Sequence, residues 1–141
     1  MPNGHVDTVR AYPVSVDTVA AAPARQAFRL LHFAFAITPI IAGIDKFFHY
    51  LVDWGIYLSP RVANLSPISA NYLMQAIGMV EIIVGLIVAF WPRIGAWLVV
   101  LWLWAIIVNL LMLPGFYDVA LRDFGLSLGA LALARLSRDF A

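Results

Sequence analysis

Residues 76–113, AIGMVEIIVGLIVAFWPRIGAWLVVLWLWAIIVNLLML, form two apolar runs that only Trp91, Pro92 and Arg93 separate. Each run has about 20 residues, and a helix of that length, at about 1.5 Å per residue, crosses the hydrocarbon core of a bilayer, which is about 30 Å thick. Backbone groups in lipid must bond within their own segment, so both runs are predicted to be helices. Because their connection is so short, the sequence predicts an antiparallel transmembrane hairpin.

The composition of the whole chain is that of an integral membrane protein. Of its 141 residues, 63% are hydrophobic and 12% are charged, whereas soluble domains have about 45–50% apolar and about 25% charged residues. The formal net charge is +1, and the basic residues lie singly at helix ends, so nucleic-acid binding is not indicated. The lack of cysteine excludes disulfides, iron–sulfur ligation and thiol chemistry.

The apolar pattern predicts an all-α fold, an integral membrane four-helix bundle. The predicted helices cover residues 27–50, 71–90, 94–113 and 117–136. Pro39 should kink the first of them. Residues 51–70 form a long loop, which we expect to fold over the membrane surface with Trp54 and Tyr57 at the level of the lipid headgroups.

Residues 1–26 contain three prolines and show no helical period, which predicts an extended cytoplasmic arm. Such a segment cannot bury enough apolar surface to order itself, so we expect a neighbouring subunit to hold it. It also lacks the apolar stretch of a cleavable signal peptide. By the positive-inside rule, the distribution of basic residues predicts that both termini are cytoplasmic. The residues counted on that side are Arg10, Arg25, Arg29, Arg93, Arg135 and Arg138.

Polar residues within spanning helices are costly and mark candidate functional positions. Glu81 lies near the middle of the second helix among small residues that permit close packing, so it is predicted to point into the bundle. Other polar residues gather near the outer ends of the helices: Asp45, Lys46, His49, Asn109, Arg122 and Asp123. We predict that Lys46 or Arg122 forms an ion pair with Asp45 or Asp123. This buried polar cluster is either a structural ion-pair network or a site for quinone binding or proton transfer.

Two helix faces are predicted to contact other helices. Gly125 and Gly129 in the last helix have the spacing typical of closely packed membrane helices, and Arg122 lies on the same face. Trp97 and Trp104 lie on the side of the third helix that faces away from its small and polar residues. Only lipid or another protein can cover them there, so we predict that they form a partner surface together with the arm.

The sequence contains no motif that identifies a chemical reaction. His32 and His49 stand about 25 Å apart along one helix, too far to hold a haem between them. The sequence contains no nucleophile–base pair, phosphate loop, metal-ligand cluster or dinucleotide fingerprint. We therefore predict no catalytic residue, no metal and no cofactor of the chain's own, with quinone or lipid as the candidate ligands.

Four short motifs resemble those of a known family. They are Gly43-Ile44-Asp45-Lys46-Phe47-Phe48 at the end of the first helix, Ile77-Gly78-Met79-Val80-Glu81-Ile82-Ile83-Val84-Gly85 in the second, the Pro92-Arg93 turn, and Leu121-Arg122-Asp123 at the start of the fourth. Over residues 27–136 the chain resembles the DoxX-like small membrane proteins. The resemblance implies a four-helix bundle similar to the small membrane subunit of thiosulfate:quinone oxidoreductase or to membrane partners of redox enzymes. Many members of the family have no assigned activity.

Two functions remain open. In the first, the chain is a non-catalytic subunit that anchors or stabilises a larger, heteromeric membrane redox or photosynthetic complex. In the second, it is a quinone-reactive oxidoreductase subunit, in which Arg122 or Lys46 holds a quinone oxygen and Glu81 or Asp45 relays a proton. A transporter is less favoured, since four helices make a small pathway without oligomerisation. In each case we expect a multi-pass protein of a bacterial or archaeal cytoplasmic membrane.

Overall fold

The computed structural model describes residues 16–141. Every regular element in this part of the chain is a helix. The elements are α1 (Val16–Phe48), a 3₁₀ turn (Trp54–Tyr57), α2 (Pro60–Leu65), α3 (Ala70–Phe90), α4 (Pro92–Leu111) and α5 (Tyr117–Phe140). Among the described residues, three segments are long and apolar enough to cross a membrane, namely Ala21–Phe48, Ala70–Phe90 and Pro92–Leu111.

The first helix is longer than predicted. It begins at Val16 rather than at residue 27, so the prediction of an extended arm is wrong for residues 16–26; residues 1–15 of that arm lie outside the described residues. Alanine, the best helix former, occupies positions 20–22 and 24. Extending a helix that already exists also avoids the unfavourable nucleation step. Pro23 is accommodated within α1, where it removes one backbone donor.

Two close pairs of helices make up the protein, α1 with α3 and α4 with α5. In the first pair glycines face each other at the crossing, and a Cβ atom added to Gly78 would lie 2.6 Å from the carbonyl oxygen of Gly43. The second pair packs through apolar side chains such as Leu110 and Leu133, which are fully buried.

The two pairs meet at the end of the molecule that holds the turn between α3 and α4. Pro92 begins α4 there. Proline lacks a backbone N–H, and at the first position of a helix this N–H would have no intrahelical partner in any case. Gly95 lies against Val88, and a Cβ atom on it would stand 2.5 Å from that residue's backbone. Phe28 of α1 and Phe140 of α5 close the same end, with ring centroids 6.1 Å apart. A shared apolar core therefore fills this end.

Residues 49–69 fill the space between the helix pairs at the opposite end. The segment begins at His49, whose positive φ of 57° ends α1 in a left-handed conformation. Asp53 caps the 3₁₀ turn and Ser59 caps α2 through side-chain oxygens. The predicted long loop is thus an ordered connection with two short helical turns.

Candidate functional site

A cavity of about 830 Å³, partly open to the surface, lies between the long helices and the connection of residues 49–69. Most of its wall is apolar, with Phe35, Val84 and Leu110 as examples. Few polar residues line it, and they are Thr38, Lys46, Trp54, Tyr57, Glu81, Trp102, Asn109 and Asp123. Mostly apolar cavities of about 300–1,000 Å³ with a few placed polar groups are typical sites for small organic ligands.

A buried ion pair joins α1 to α3 in the wall of this cavity. The Nζ atom of Lys46 donates a hydrogen bond to Oε2 of Glu81 at 2.6 Å. The two residues are only 3% and 6% exposed. Gly78 makes room for the lysine stem, because a Cβ atom there would lie 3.0 Å from Cβ of Lys46. Close packing of α1 on α3 therefore places the ammonium group beside Glu81. Glu81 is buried, as predicted from the small residues around it.

Trp54 covers the ion pair from the side of the connection. Nζ of Lys46 lies 3.7 Å from the centroid of the Trp54 ring, a cation–π contact. The indole N–H of Trp54 donates to Asp45 at 2.7 Å. The Asp45 carboxylate also accepts hydrogen bonds from the backbone N–H groups of Tyr50 and Leu51, at 2.9 and 3.0 Å. Asp45 thus holds the connection in place, and Trp54 lies over the cavity, a contact that the predicted position at the level of the lipid headgroups did not include.

Asn109 holds the same connection against α4. Its Nδ2 atom donates to the carbonyl oxygen of Tyr57 at 2.6 Å, and its Oδ1 atom accepts from the backbone N–H of Ser59 at 3.0 Å. Ser59 is fully buried, and its hydroxyl oxygen accepts from the backbone N–H of Val62. The ring of Tyr57 packs edge-on against Phe116. The amide of Asn109 therefore has a structural role at the rim of the cavity.

Trp102 and Asp123 present polar groups to the cavity from α4 and α5. Both residues line it. The Nε1 atom of Trp102 is buried and makes no hydrogen bond of good geometry among the described residues, although the Glu81 carboxylate lies close enough to interact with it. Such a contact satisfies the donor only in part, and a buried donor with no partner at all costs about 1–3 kcal/mol. A ligand with an acceptor oxygen at this point would remove that cost.

The structure divides the predicted polar cluster. Lys46, Glu81, Asn109 and Asp123 line the cavity, and Asp45 lies beside it in contact with Trp54. His49 is exposed and lies outside the lining.

The predicted ion pairs of this cluster are wrong. Within residues 16–141, no ion pair joins Lys46 or Arg122 to Asp45 or Asp123. Lys46 instead reaches the deeper Glu81, and the oxygens of Asp45 accept N–H groups of the connection. Arg122 is exposed and pairs with Asp118, one turn before it in α5, at 3.2 Å. Of the predicted packed face, Gly125 and Gly129 line the cavity and Arg122 does not.

The apolar pattern of the sequence does not mark the connection as part of the site. Trp54, Tyr57 and Ser59 all contribute to the cavity or its rim, yet their segment shows no helical period. A signal is present in the capping residues, because Asp53 and Ser59 are followed by Gly55 and Pro60. Asp or Ser ahead of such residues is typical of an ordered turn or of a helix start.

The outward tryptophans of α4 are accessible, as expected from their position. Trp97 is 42% and Trp104 is 48% exposed, and Trp104 contacts the ring of Phe124 edge-on. Their role as a partner surface stays a prediction.

Comparison of the chain with protein-family models, with curated proteins and with solved structures gives no match. The resemblance to DoxX-like proteins stays a prediction from the motifs. Over the part of the chain that the structure describes, no group of His, Asp and Glu side chains has an arrangement suited to a metal ion. The cavity and its polar groups are therefore the basis for assigning a function.

Proposed function

We propose that this protein is a four-helix membrane protein that binds a lipid-soluble quinone in the cavity between its helices. The volume of about 830 Å³ accommodates a quinone ring and the beginning of its tail. The apolar walls favour both parts, because each buried methylene group contributes about 0.8 kcal/mol. This proposal takes up the quinone-reactive alternative of the sequence analysis and the resemblance to DoxX-like proteins.

The observation that carries the proposal is the pair of donor residues, Lys46 and Trp102, in a cavity whose wall is otherwise mostly apolar. A quinone carbonyl is a hydrogen-bond acceptor, and the N–H of Trp102, which makes no hydrogen bond of good geometry, is one candidate donor to it. Lys46 adds a second possible donor, since an ammonium group has three N–H bonds and Glu81 takes one of them. A carbonyl oxygen placed between Trp102 and Lys46 would then accept from both.

The geometry favours some of the residues that the sequence suggested for holding the quinone and for transferring protons. Arg122 is exposed on the surface, so Lys46 is the better candidate for holding a quinone oxygen. Asp45 is engaged by N–H groups of the connection, so Glu81 is the better candidate for transferring protons. Reduction of a quinone also needs electrons, and these would come from a partner protein.

We further propose that α5 is the fourth spanning helix and that both termini are cytoplasmic. The charged residues of α5 lie in its first two and last two turns, so that residues 124–134 carry none. Charged side chains near helix ends can extend toward the membrane surface. The extensive packing of α5 on α4 supports the same arrangement.

The accessory role in a redox or photosynthetic complex stays a second proposal. The observation that favours it is the exposure of Trp97 and Trp104 on one side of α4. A quinone site and an assembly role are compatible, because a quinone-reducing subunit needs an electron donor beside it.

Tryptophan fluorescence tests the quinone proposal. Changing Trp91, Trp97 and Trp104 to phenylalanine leaves Trp54 and Trp102, both of which line the cavity. Titration of this variant in mild detergent with a short-tailed benzoquinone should quench its fluorescence saturably, because quinones quench indoles at close range. An alkylbenzene of the same size, which lacks the carbonyl oxygens, should compete for the site poorly.

The control is a pair of alanine substitutions in the same background. Ala42→Phe places a ring in the cavity wall and should abolish saturable quenching. Ala27→Phe adds the same ring at an exposed position of α1 outside the cavity and should leave quenching unchanged. Quenching that stays linear with quinone concentration in the unfilled protein would contradict the proposal.

A further inference from the structure

One side of the cavity combines cavity-lining and surface-exposed residues. The residues that both line the cavity and are exposed are Ala34, Thr38, Ala105, Gly125 and Leu126. All but Ala105 belong to α1 and α5. The residues that α3 contributes to the lining are buried or half-buried. The cavity therefore reaches the surface between α1 and α5, at a gap that we call the side opening (Ala34, Thr38, Gly125 and Leu126).

Glycine packing shows that this gap is open. A Cβ atom added to Gly125 would meet nothing within 4 Å, whereas at Gly78, Gly85 and Gly95 it would contact a neighbouring helix at 2.5–2.8 Å. One turn further along α5, a Cβ atom added to Gly129 would lie 3.2 Å from the Phe35 ring. The α1–α5 interface is thus closed at Phe35 and opens at Gly125.

Apart from Arg122, which lies one turn before Gly125 and pairs with Asp118, the surroundings of the side opening are apolar. Leu126 is 50% exposed at its edge, and the outward residues Leu121 of α5 and Ile41 of α1 are 71% and 51% exposed. In the proposed four-helix arrangement these residues lie within the membrane and face acyl chains. An opening with this chemistry suits a hydrocarbon chain and is unfavourable for water or ions.

We infer that the ligand enters the cavity sideways from the bilayer through the side opening, and that its apolar tail occupies this opening while its head lies near Lys46 and Trp102. This inference rests on the proposed quinone function. Thr38 stands two turns from Lys46 along α1, about 12 Å at helical rise. A ligand whose head reaches Lys46 therefore has the first part of its tail between α1 and α5.

Substitutions that fill the side opening test this inference. In the background that retains Trp54 and Trp102, Gly125→Phe and Ala34→Phe should weaken binding of a long-tailed benzoquinone by about tenfold, because several methylene groups lose their place. Binding of a benzoquinone with the same ring and a short tail should change less than about twofold. Both affinities are measured by fluorescence quenching in phosphatidylcholine nanodiscs.

Matched controls lie seven residues away on each helix. Ala132→Phe and Ala27→Phe place the same ring on nearly the same side of α5 and α1, two turns nearer the closed end. Both positions are exposed and outside the cavity lining, so these variants should bind both quinones as the background protein does.

The outcomes separate the two proposals. If the filled variants bind the long-tailed quinone as tightly as the controls do, the side opening is not the entry route, although the quinone function stands. If the background protein fails to bind even the short-tailed quinone, the proposed function itself is wrong.

A second measurement uses labelled lipid in place of a quinone. Phosphatidylcholine with brominated acyl chains should quench Trp54 and Trp102 in the background protein, because lipid chains reach the opening. Gly125→Phe should reduce this quenching, and absence of quenching in the background protein would contradict the inference.

Discussion

The ion pair of Lys46 and Glu81 shows how one contact serves both the packing and the candidate site. Desolvation of both charges offsets much of their attraction, so a buried pair adds little stability relative to well-packed apolar residues. Removing one partner is different, because the other charge then stays buried without compensation. Here both charges also line the cavity, so they are available to a ligand that enters it.

At this scale we predict that the single substitutions Lys46→Met and Glu81→Leu each destabilise the protein by about 3–5 kcal/mol, while the double variant is less destabilised than either. The measurement is the thermal unfolding midpoint in detergent. The matched control is the exposed pair Asp118 and Arg122, whose removal should leave the midpoint nearly unchanged, since surface ion pairs contribute little. Additive losses in the Lys46 and Glu81 double variant would show that the two charges do not interact.

At the scale of the elements, glycines decide where helices touch. The spacing of small residues predicts close packing at both Gly78 and Gly125. The structure confirms this for Gly78, whose Cβ would lie 2.6 Å from the carbonyl of Gly43, and contradicts it for Gly125, which faces open space. Both glycines lie in a regular pattern of small residues. Whether a side chain would fit at either position depends on how closely the neighbouring helix approaches.

We therefore predict opposite effects for two identical substitutions. Gly78→Ala should lower the unfolding midpoint by several degrees, because a rigid backbone carbonyl occupies the space of the new methyl group. Gly125→Ala should raise the midpoint slightly, since alanine stabilises a helix interior by about 0.5–1 kcal/mol relative to glycine. If Gly78→Ala is tolerated as well as Gly125→Ala, the close crossing of α1 and α3 is wrong.

At the scale of the whole molecule, the arrangement of two helix pairs produces the cavity. The pairs share an apolar core at the end with the turn between α3 and α4, and the connection of residues 49–69 spans the other end. Hydrogen bonds that Asn109 donates and accepts, and others that Asp45 accepts, hold that connection in place. This organisation requires α5 to run alongside the spanning helices despite its charges.

Cysteine labelling tests whether α5 crosses the membrane. The chain contains no cysteine, so one introduced residue is the only target for an impermeant maleimide. We predict that Ala141→Cys is labelled from the cytoplasmic side and Asn64→Cys from the opposite side; both positions are exposed. If both are labelled from the same side, α5 does not span the bilayer.

The sequence by itself determined the class of this protein and most of its long helices. Apolar runs of about 20 residues leave the backbone no alternative to a helix in lipid. The start of α1 at Val16 and the caps at Asp53 and Ser59 depend on weaker, local preferences. Apolar periodicity does not detect these helix starts and caps, although the residues that form them are present in the sequence.

Only the tertiary structure decided which polar groups meet. Lys46 and Glu81 stand 35 positions apart in the chain, and they meet because Gly43 and Gly78 let α1 and α3 approach closely. Trp54 comes from a segment without a period, yet hydrogen bonding to Asp45 turns it over the ion pair. The cavity likewise forms between the two helix pairs, which pack together at one end and separate toward the other. How far they separate depends on how side chains from different helices fit together, and the sequence of one helix does not determine that fit.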